Sequence, residues 1–180
     1  MTLRADTVIS SVWANVVLFQ VVWFAAVLGA ARGEPLWGWA ALGLLTAQAL
    51  TTPQWRMDLV FALVCMAIGF LADSLWAWAG VLDYEGQGLA PGWIVALWAA
   101  TGLSLNHGLG WFRPRPVLGG LAAGTVAPIS YLAGERLGAL SIPSAAALGW
   151  IALCWFPVFS ILFALAHTVE AHGAVQEEPR

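Results

Sequence analysis

The sequence has few charged residues and no lysine at all. Only 9% of its 180 residues are charged, whereas 61% are hydrophobic. A soluble domain carries about a quarter charged residues, so this shortage excludes a chain that faces water on all sides. The formal net charge of −3 includes no basic cluster, and nothing in the composition indicates nucleic-acid binding. The sequence therefore predicts an integral membrane protein without a nucleic-acid partner.

Motifs for metal binding and for common catalytic chemistry are also missing. Cysteine occurs only twice, and both Cys65 and Cys154 lie in apolar stretches, where we expect ordinary packing and no disulfide. The three histidines lack the spacing of a metal site. The sequence contains neither a nucleophile elbow nor a P-loop nor a dinucleotide fingerprint. We predict no metal and no cofactor, and these absences leave open whether the chain is an enzyme.

Six apolar stretches fill the chain from end to end. Each is close to the ~20 residues that a helix needs to cross a bilayer, and membrane-embedded backbone must satisfy its own hydrogen bonds. Short connections separate the stretches, so consecutive helices should be antiparallel neighbours. The sequence predicts an all-α membrane protein, a compact bundle of six transmembrane helices forming one domain over residues 1–180. The predicted spans are approximately 8–30, 36–52, 58–82, 92–112, 117–140 and 144–168.

The arginines indicate how these spans are oriented. With six crossings, one side of the membrane receives Arg4, Arg56, Arg113, Arg115 and Arg180, and the other receives Arg32 and Arg136. Cytoplasmic loops carry an excess of basic residues, so both termini are predicted to be cytoplasmic.

Four segments resemble a known family. They are Asn15–Ala30 (NVVLFQVVWFAAVLGA), Asp73–Tyr84 (DSLWAWAGVLDY), Pro91–Phe112 (PGWIVALWAATGLSLNHGLGWF) and Gly124–Ala139 (GTVAPISYLAGERLGA). Together they resemble the bacterial inner-membrane family known as domain of unknown function 2878, and the resemblance covers nearly the whole chain. It implies a small multi-pass protein of the bacterial inner membrane, and it implies no reaction.

A first group of polar side chains shares a predicted depth in the outer half of the bilayer. It contains Asp73, Tyr131, Glu135 and Arg136, whose depths agree within about one helical turn, ~5.4 Å. Ionisable residues at membrane depth are costly and often functional, so Asp73, Glu135 and Tyr131 are candidate catalytic residues. Arg136 is a candidate ligand-binding residue that could pair with Asp73. The alternative is that Glu135 and Arg136 only reach the outer interface by snorkelling.

A second group of polar residues lies nearer the cytoplasm, at about 10 Å from the boundary on the same rise per residue. It contains Asn15, Gln48, Asn106 and His107. Amides commonly bridge membrane helices, and we prefer that interpretation for Asn15 and Gln48. Asn106 and His107 are candidate ligand-binding residues. Because neighbours on a helix diverge by about 100°, the two are predicted to face different surroundings.

Five tryptophans lie deeper than the membrane interfaces: Trp23, Trp76, Trp78, Trp98 and Trp155. A deep indole N–H needs a hydrogen-bond partner and can line a cavity for an apolar ligand, although ordinary packing is the simpler interpretation. Trp76 is included among the candidate ligand-binding residues.

Three functions fit these features. We favour a protein that acts on or binds a lipid or other apolar substrate within the bilayer. The alternatives are a small secondary transporter or permease, with Pro128 interrupting the fifth span, and an accessory or assembly subunit of a membrane complex. The expected partners are membrane lipids and an apolar small molecule, with a membrane-protein partner under the third alternative.

Overall fold

The computed structural model describes residues 2–84 and 88–176, and it describes side chains for residues 12–84 and 88–169. Arg4 and Arg180, which contribute to the predicted orientation, lie outside the described side chains. So do residues 85–87 of the predicted outer loop.

Six α-helices make up most of the described chain. They are α1 (Thr2–Ala31), α2 (Leu36–Leu50), α3 (Trp55–Trp78), α4 (Gly92–Ser104), α5 (Pro116–Arg136) and α6 (Ala145–Gln176). A short 3-10 helix, Gly110–Phe112, lies between α4 and α5. The predicted all-helical class holds for the described residues.

Within this part of the chain, four helices are long and apolar enough to cross a membrane. They are Val12–Ala31, Trp55–Trp78, Pro116–Arg136 and Ala145–Val169. The other two are shorter, with 15 residues in α2 and 13 in α4. At 1.5 Å per residue they measure about 20–22 Å, less than the ~30 Å hydrocarbon core. The helices indicate a membrane protein, and the crossing of α2 and α4 stays a prediction.

The fourth helix is shorter than predicted. A continuous helix over residues 92–112 was expected, but α4 ends at Ser104 and is followed by turns and the 3-10 helix. The sequence that follows, with Asn106, Gly108 and Gly110, has low helix propensity, which explains the early end. Irregular backbone at this depth is tolerated only where the protein itself covers it.

The helices form two groups. The backbones of α1, α2, α3 and α4 approach one another closely, and α5 packs along α6 as a separate hairpin. Glycines permit both approaches. A Cβ atom on Gly102 of α4 would overlap the backbone of Phe61 and Ala62 in α3, and one on Gly120 of α5 would overlap the backbone of Phe156 in α6. Close packing through small residues is usual for membrane helices.

Large side chains and one loop pairing join the hairpin α5–α6 to the other four helices. Trp155 of α6 is fully buried, and its ring lies 5.1 Å from that of Trp76 and 4.4 Å from that of Trp98. Beyond the helix ends, the backbones of Asp83 and Ser141 exchange hydrogen bonds of 2.9 and 2.8 Å. The two groups of helices contact each other mainly through side chains. Their backbones therefore leave space between the groups.

Candidate functional site

Asp73, on α3, is fully buried and accepts three hydrogen bonds. Tyr84 and Tyr131 donate to Oδ1 at 2.6 and 2.7 Å. Trp98 donates its indole N–H to Oδ2 at 2.7 Å, and an indole can only donate. These donors come from the loop after α3, from α5 and from α4. Within the described residues, no cation forms an ion pair with this carboxyl group.

Gly69 makes room for one of these bonds. It precedes Asp73 by one helical turn, so the two residues share a face of α3. A Cβ atom on Gly69 would overlap the ring of Trp98. The absence of a side chain therefore allows the indole to lie across α3 and reach the carboxyl group.

Tyr84 reaches Asp73 from outside the helices. It follows α3 in the connection to α4, yet only 2% of its surface is exposed. Burial raises the pKa of Tyr84 well above its ordinary value, and the charge of Asp73 acts in the same direction. The phenol therefore stays protonated at neutral pH and remains able to donate its proton to Asp73.

The predicted contact between Asp73 and α5 is present, but its partner differs from the one expected. Tyr131 makes the contact, and the predicted pairing with Arg136 is wrong because Arg136 is exposed and forms no ion pair with Asp73. Residues five apart on a helix point about 140° away from each other, so Tyr131 and Arg136 cannot face the same group. Glu135 accepts a hydrogen bond from the backbone N–H of Ile142 at 2.8 Å, and this bond stabilises the α5–α6 connection.

Trp76 supports the Asp73 network from behind. It is buried and lies edge-on to Tyr131 and Trp155, with ring centroids 5.9 and 5.1 Å away. It is not among the described residues that line the cavity beside the network. Its contacts hold Tyr131 in place, and Trp76 itself has no surface that a ligand in the cavity would touch.

A cavity of about 300 Å³ lies between the two groups of helices, next to Asp73. Tyr131 and Trp98 form part of its wall and bind the Asp73 carboxyl group behind it. Small residues of α5 line one side, and apolar and aromatic residues of α1, α4 and α6 line the other. The volume is at the lower end of the ~300–1,000 Å³ typical of ligand pockets.

A larger groove of about 490 Å³ lies on the outer surface of α1. Its lining includes Val17, Val21 and Phe24, which are exposed by 59%, 43% and 52%. These exposed side chains face the surroundings of the bundle. Membrane lipid is sufficient to cover such a surface, so we assign no site there.

A second polar cluster surrounds Asp58 in the first turn of α3, where the carboxyl group is fully buried. Asn106 donates to Oδ1 at 2.8 Å, Thr52 donates to Oδ2 at 3.2 Å, and His107 Nε2 lies 2.8 Å from Oδ2. Arg113 in turn donates to the amide oxygen of Asn106 at 3.2 Å. The two candidates Asn106 and His107 therefore bind the same carboxyl group.

This convergence contradicts the prediction that Asn106 and His107 diverge. The prediction assumed a helix through residue 112, and the angular relation is lost once α4 ends at Ser104. Asn15, also fully buried, accepts a hydrogen bond from the Gly108 N–H at 3.1 Å and donates to Gln48 at 3.1 Å. Asn15 thus satisfies irregular backbone after α4 and is itself held by Gln48, which fits the packing interpretation of both residues.

Sequence reasoning assigned neither Asp58 nor Tyr84 to a site, and it named Trp98 only as one of the deep tryptophans. Asp58 was placed at the start of a span, where a carboxylate in the interface is ordinary. Trp98 carried one usable signal, because a deep indole needs an acceptor. Tyr84 lies in a connection whose fold the span pattern does not define.

A family described as "Protein of unknown function (DUF2878)" matches residues 12–165. The chain belongs to this family. The resemblance predicted from sequence is therefore confirmed, and the match includes the Asp73 network, the Asp58 cluster and all the described residues that line the cavity. No curated protein and no solved structure matches it.

Proposed function

We propose that this protein binds an apolar molecule of the bilayer in the cavity between its two groups of helices. The observation that carries the proposal is the cavity of about 300 Å³, whose wall includes two side chains held by the buried carboxyl group of Asp73. Apolar pockets with a few fixed polar groups are typical ligand sites. Protein interiors are close-packed, so in a bundle without a ligand we would expect side chains to fill a space of this size.

The cavity has a side that opens towards lipid. Val126 lines it and is 59% exposed, while Phe19 and Trp23 on the facing helix α1 are half-buried. The boundary between α1 and α5 is crossed by the hydrogen bond from Trp23 Nε1 to Ser130 Oγ, at 2.8 Å. An apolar molecule could enter between these helices without passing through water.

The role of Asp73 in this proposal is to position other groups. Its oxygens are occupied by three donors, and it is not among the described residues that line the cavity. Tyr131 and Trp98 present the surface that a ligand would touch. The geometry therefore supports binding more directly than acid–base chemistry on a bound substrate.

A transporter is the second candidate, and one structural feature favours it. The hairpin α5–α6 meets the other helices mainly through side chains, and each of its helices contains a proline, Pro128 and Pro157. Proline removes a helix hydrogen bond, so both helices have a point at which they can bend. The third candidate, an accessory subunit, gains no specific observation from the described residues.

We also propose the bacterial inner membrane as the location, with six crossings and cytoplasmic termini. The contact between Asp58 and His107 brings the start of α3 beside the α4–α5 connection. Arg56, Arg113 and Arg115 consequently lie at one end of the bundle, which supports placing that end in the cytoplasm.

Filling the cavity tests the proposed function. Ala127 lines it, and Ala127→Phe would occupy space that a ligand needs. Leu121→Phe, on an exposed position of the same helix, is the matched control. Both variants would be extracted with their surrounding lipid by a styrene–maleic acid copolymer, without detergent, and analysed by native mass spectrometry. We expect a bound molecule on the wild type and on Leu121→Phe that is lost from Ala127→Phe. Equal retention by both variants would contradict the proposal.

A further inference from the structure

The cavity is elongated along α5. Its lining on that helix begins at Gly119 and ends at Gly134, with Ala123, Ala127 and Ser130 between them. This stretch corresponds to about 22 Å of helix, more than the ~15 Å of hydrocarbon in one leaflet. A volume of about 300 Å³ spread over such a length is narrow. The shape suits one extended hydrocarbon chain better than a compact ring system.

One part of the wall offers unused hydrogen bonds. The indole N–H of Trp155 is buried and has no hydrogen-bond partner among the described residues, and the ring is fully buried. It lies beside the Tyr131 hydroxyl without meeting the geometry of a hydrogen bond. Leaving a buried donor unpaired costs about 1–3 kcal/mol, so a ligand oxygen at this place would be stabilised.

The Tyr131 hydroxyl lies beside this indole and completes a small polar patch of the cavity wall. It gives its proton to Asp73 and can still accept a hydrogen bond. Trp155 and Tyr131 thus offer one donor and one acceptor. This pair matches an alcohol, whose oxygen accepts from the indole N–H and whose proton goes to the phenol oxygen.

The charges near this patch exclude an acidic head group. Among the described residues that line the cavity, none carries a charge. The nearest ionisable group behind the wall is Asp73, an acid without a cationic partner among the described residues. Phosphate and carboxylate groups need arginine, lysine or a helix N-terminus when they leave water. Nothing in the lining supplies such a partner.

We infer that the ligand is an uncharged single-chain lipid with one alcohol group, which accepts a hydrogen bond from Trp155 and donates one to Tyr131. The inference rests on the proposed function and narrows it, because it excludes fatty acids and phospholipids from the cavity. The hydrocarbon chain would extend from Tyr131 towards Gly119, along the small residues of α5.

A matched pair of probes tests the inference. Hexadecan-1-ol and hexadecanoate have the same chain length and differ in head-group charge. The full-length protein would be placed in phosphatidylcholine nanodiscs, and binding of each probe would be followed by native mass spectrometry. We expect a 1:1 complex with the alcohol that is at least about tenfold tighter than with the acid, as one lost charged or hydrogen-bonded contact would give. Trp155→Phe should weaken alcohol binding by about tenfold. Trp150→Phe, the same change at a position of α6 that is 62% exposed, should leave binding unaltered.

The outcomes separate the two proposals. Hexadecanoate binding as tightly as the alcohol, with both abolished by Ala127→Phe, would overturn the uncharged head group and leave the cavity as the binding site. Binding of neither probe, or binding that Ala127→Phe does not change, would overturn the proposed function together with the inference. If the Trp155→Phe variant fails to accumulate, 1-methoxyhexadecane replaces it as a probe of the wild type. This ether has no proton for Tyr131, so it should bind about tenfold more weakly than the alcohol, and equal binding would overturn the inference.

Discussion

Tyr131 of α5 donates its hydroxyl proton to Asp73 of α3 at 2.7 Å. This bond links the hairpin α5–α6 to the other four helices, and the same tyrosine forms part of the cavity wall. One of the groups that join the two halves of the bundle is therefore also a group that a ligand would contact. A ligand that moves Tyr131 would act directly on the boundary between the halves.

Replacing Asp73 should destabilise the fold. In Asp73→Asn one carboxylate oxygen becomes an NH₂ group. It faces either the two phenols, whose buried O–H protons then lose their acceptor, or the Trp98 indole, which can only donate. An unsatisfied buried donor costs about 1–3 kcal/mol. Samples in detergent would be heated and then analysed by size-exclusion chromatography. We expect a fall in the temperature at which half of the protein is still monodisperse.

Arg136→Gln provides the control for Asp73→Asn. Arg136 is exposed and unpaired with Asp73, so its replacement should leave the same temperature unchanged. If Arg136→Gln were as damaging as Asp73→Asn, and the double variant regained stability, the two residues would be an ion pair after all.

Gly69→Ala should lower stability because the new methyl group would overlap the Trp98 ring. Overpacking of this kind costs about 1–3 kcal/mol. Gly43→Ala on α2 is the matched control, since a Cβ there meets nothing within 4 Å and alanine favours helix by about 1 kcal/mol. The midpoint temperature of thermal unfolding in detergent should fall for Gly69→Ala and rise for Gly43→Ala. A Gly69→Ala variant as stable as the wild type would contradict the close contact between Gly69 and Trp98.

The sequence predicted well how deep each side chain lies in the bundle, and it predicted poorly in which direction the side chain points. The rise per residue places Asp73 and Tyr131 at one level, and they do meet. The rotation of each helix about its axis depends on packing, and apolar residues on every side of these helices leave it undefined. Arg136 was therefore paired wrongly, and the early end of α4 at Ser104 upset the angular argument for His107. Tyr84 could not be found because the outer loop folds back by contacts that no periodic pattern records.

The Asp58 cluster should behave as structure and not as a site. His107 contributes a bond of 2.8 Å to the fully buried Asp58, so His107→Ala should cost about 1–3 kcal/mol. His167→Ala, at an exposed position of α6, is the matched control and should have no measurable effect on stability. Stability would be measured by thermal unfolding. The amount of ligand that stays bound to the folded protein at low temperature would be measured by native mass spectrometry. Loss of ligand from His107→Ala without loss of stability would show instead that the cluster takes part in binding.

The last prediction concerns α2 and α4, whose lengths of 15 and 13 residues leave their crossing in question. Single cysteines would be introduced in a background lacking Cys65 and Cys154, at exposed positions in five connections, namely Glu34→Cys, Gln54→Cys, Gly88→Cys, Arg115→Cys and Ser144→Cys.

If all six helices cross and the termini are cytoplasmic, a membrane-impermeant maleimide added to intact inner-membrane spheroplasts should label positions 34, 88 and 144 but not 54 and 115. Permeabilised cells should label all five positions, which controls for accessibility. The short helix α4 can cross because Asn15 satisfies the Gly108 N–H in the irregular backbone that follows it. Labelling of Gln54→Cys or Arg115→Cys from outside would show that α2 or α4 turns back within the membrane. The protein would then have fewer than six crossings.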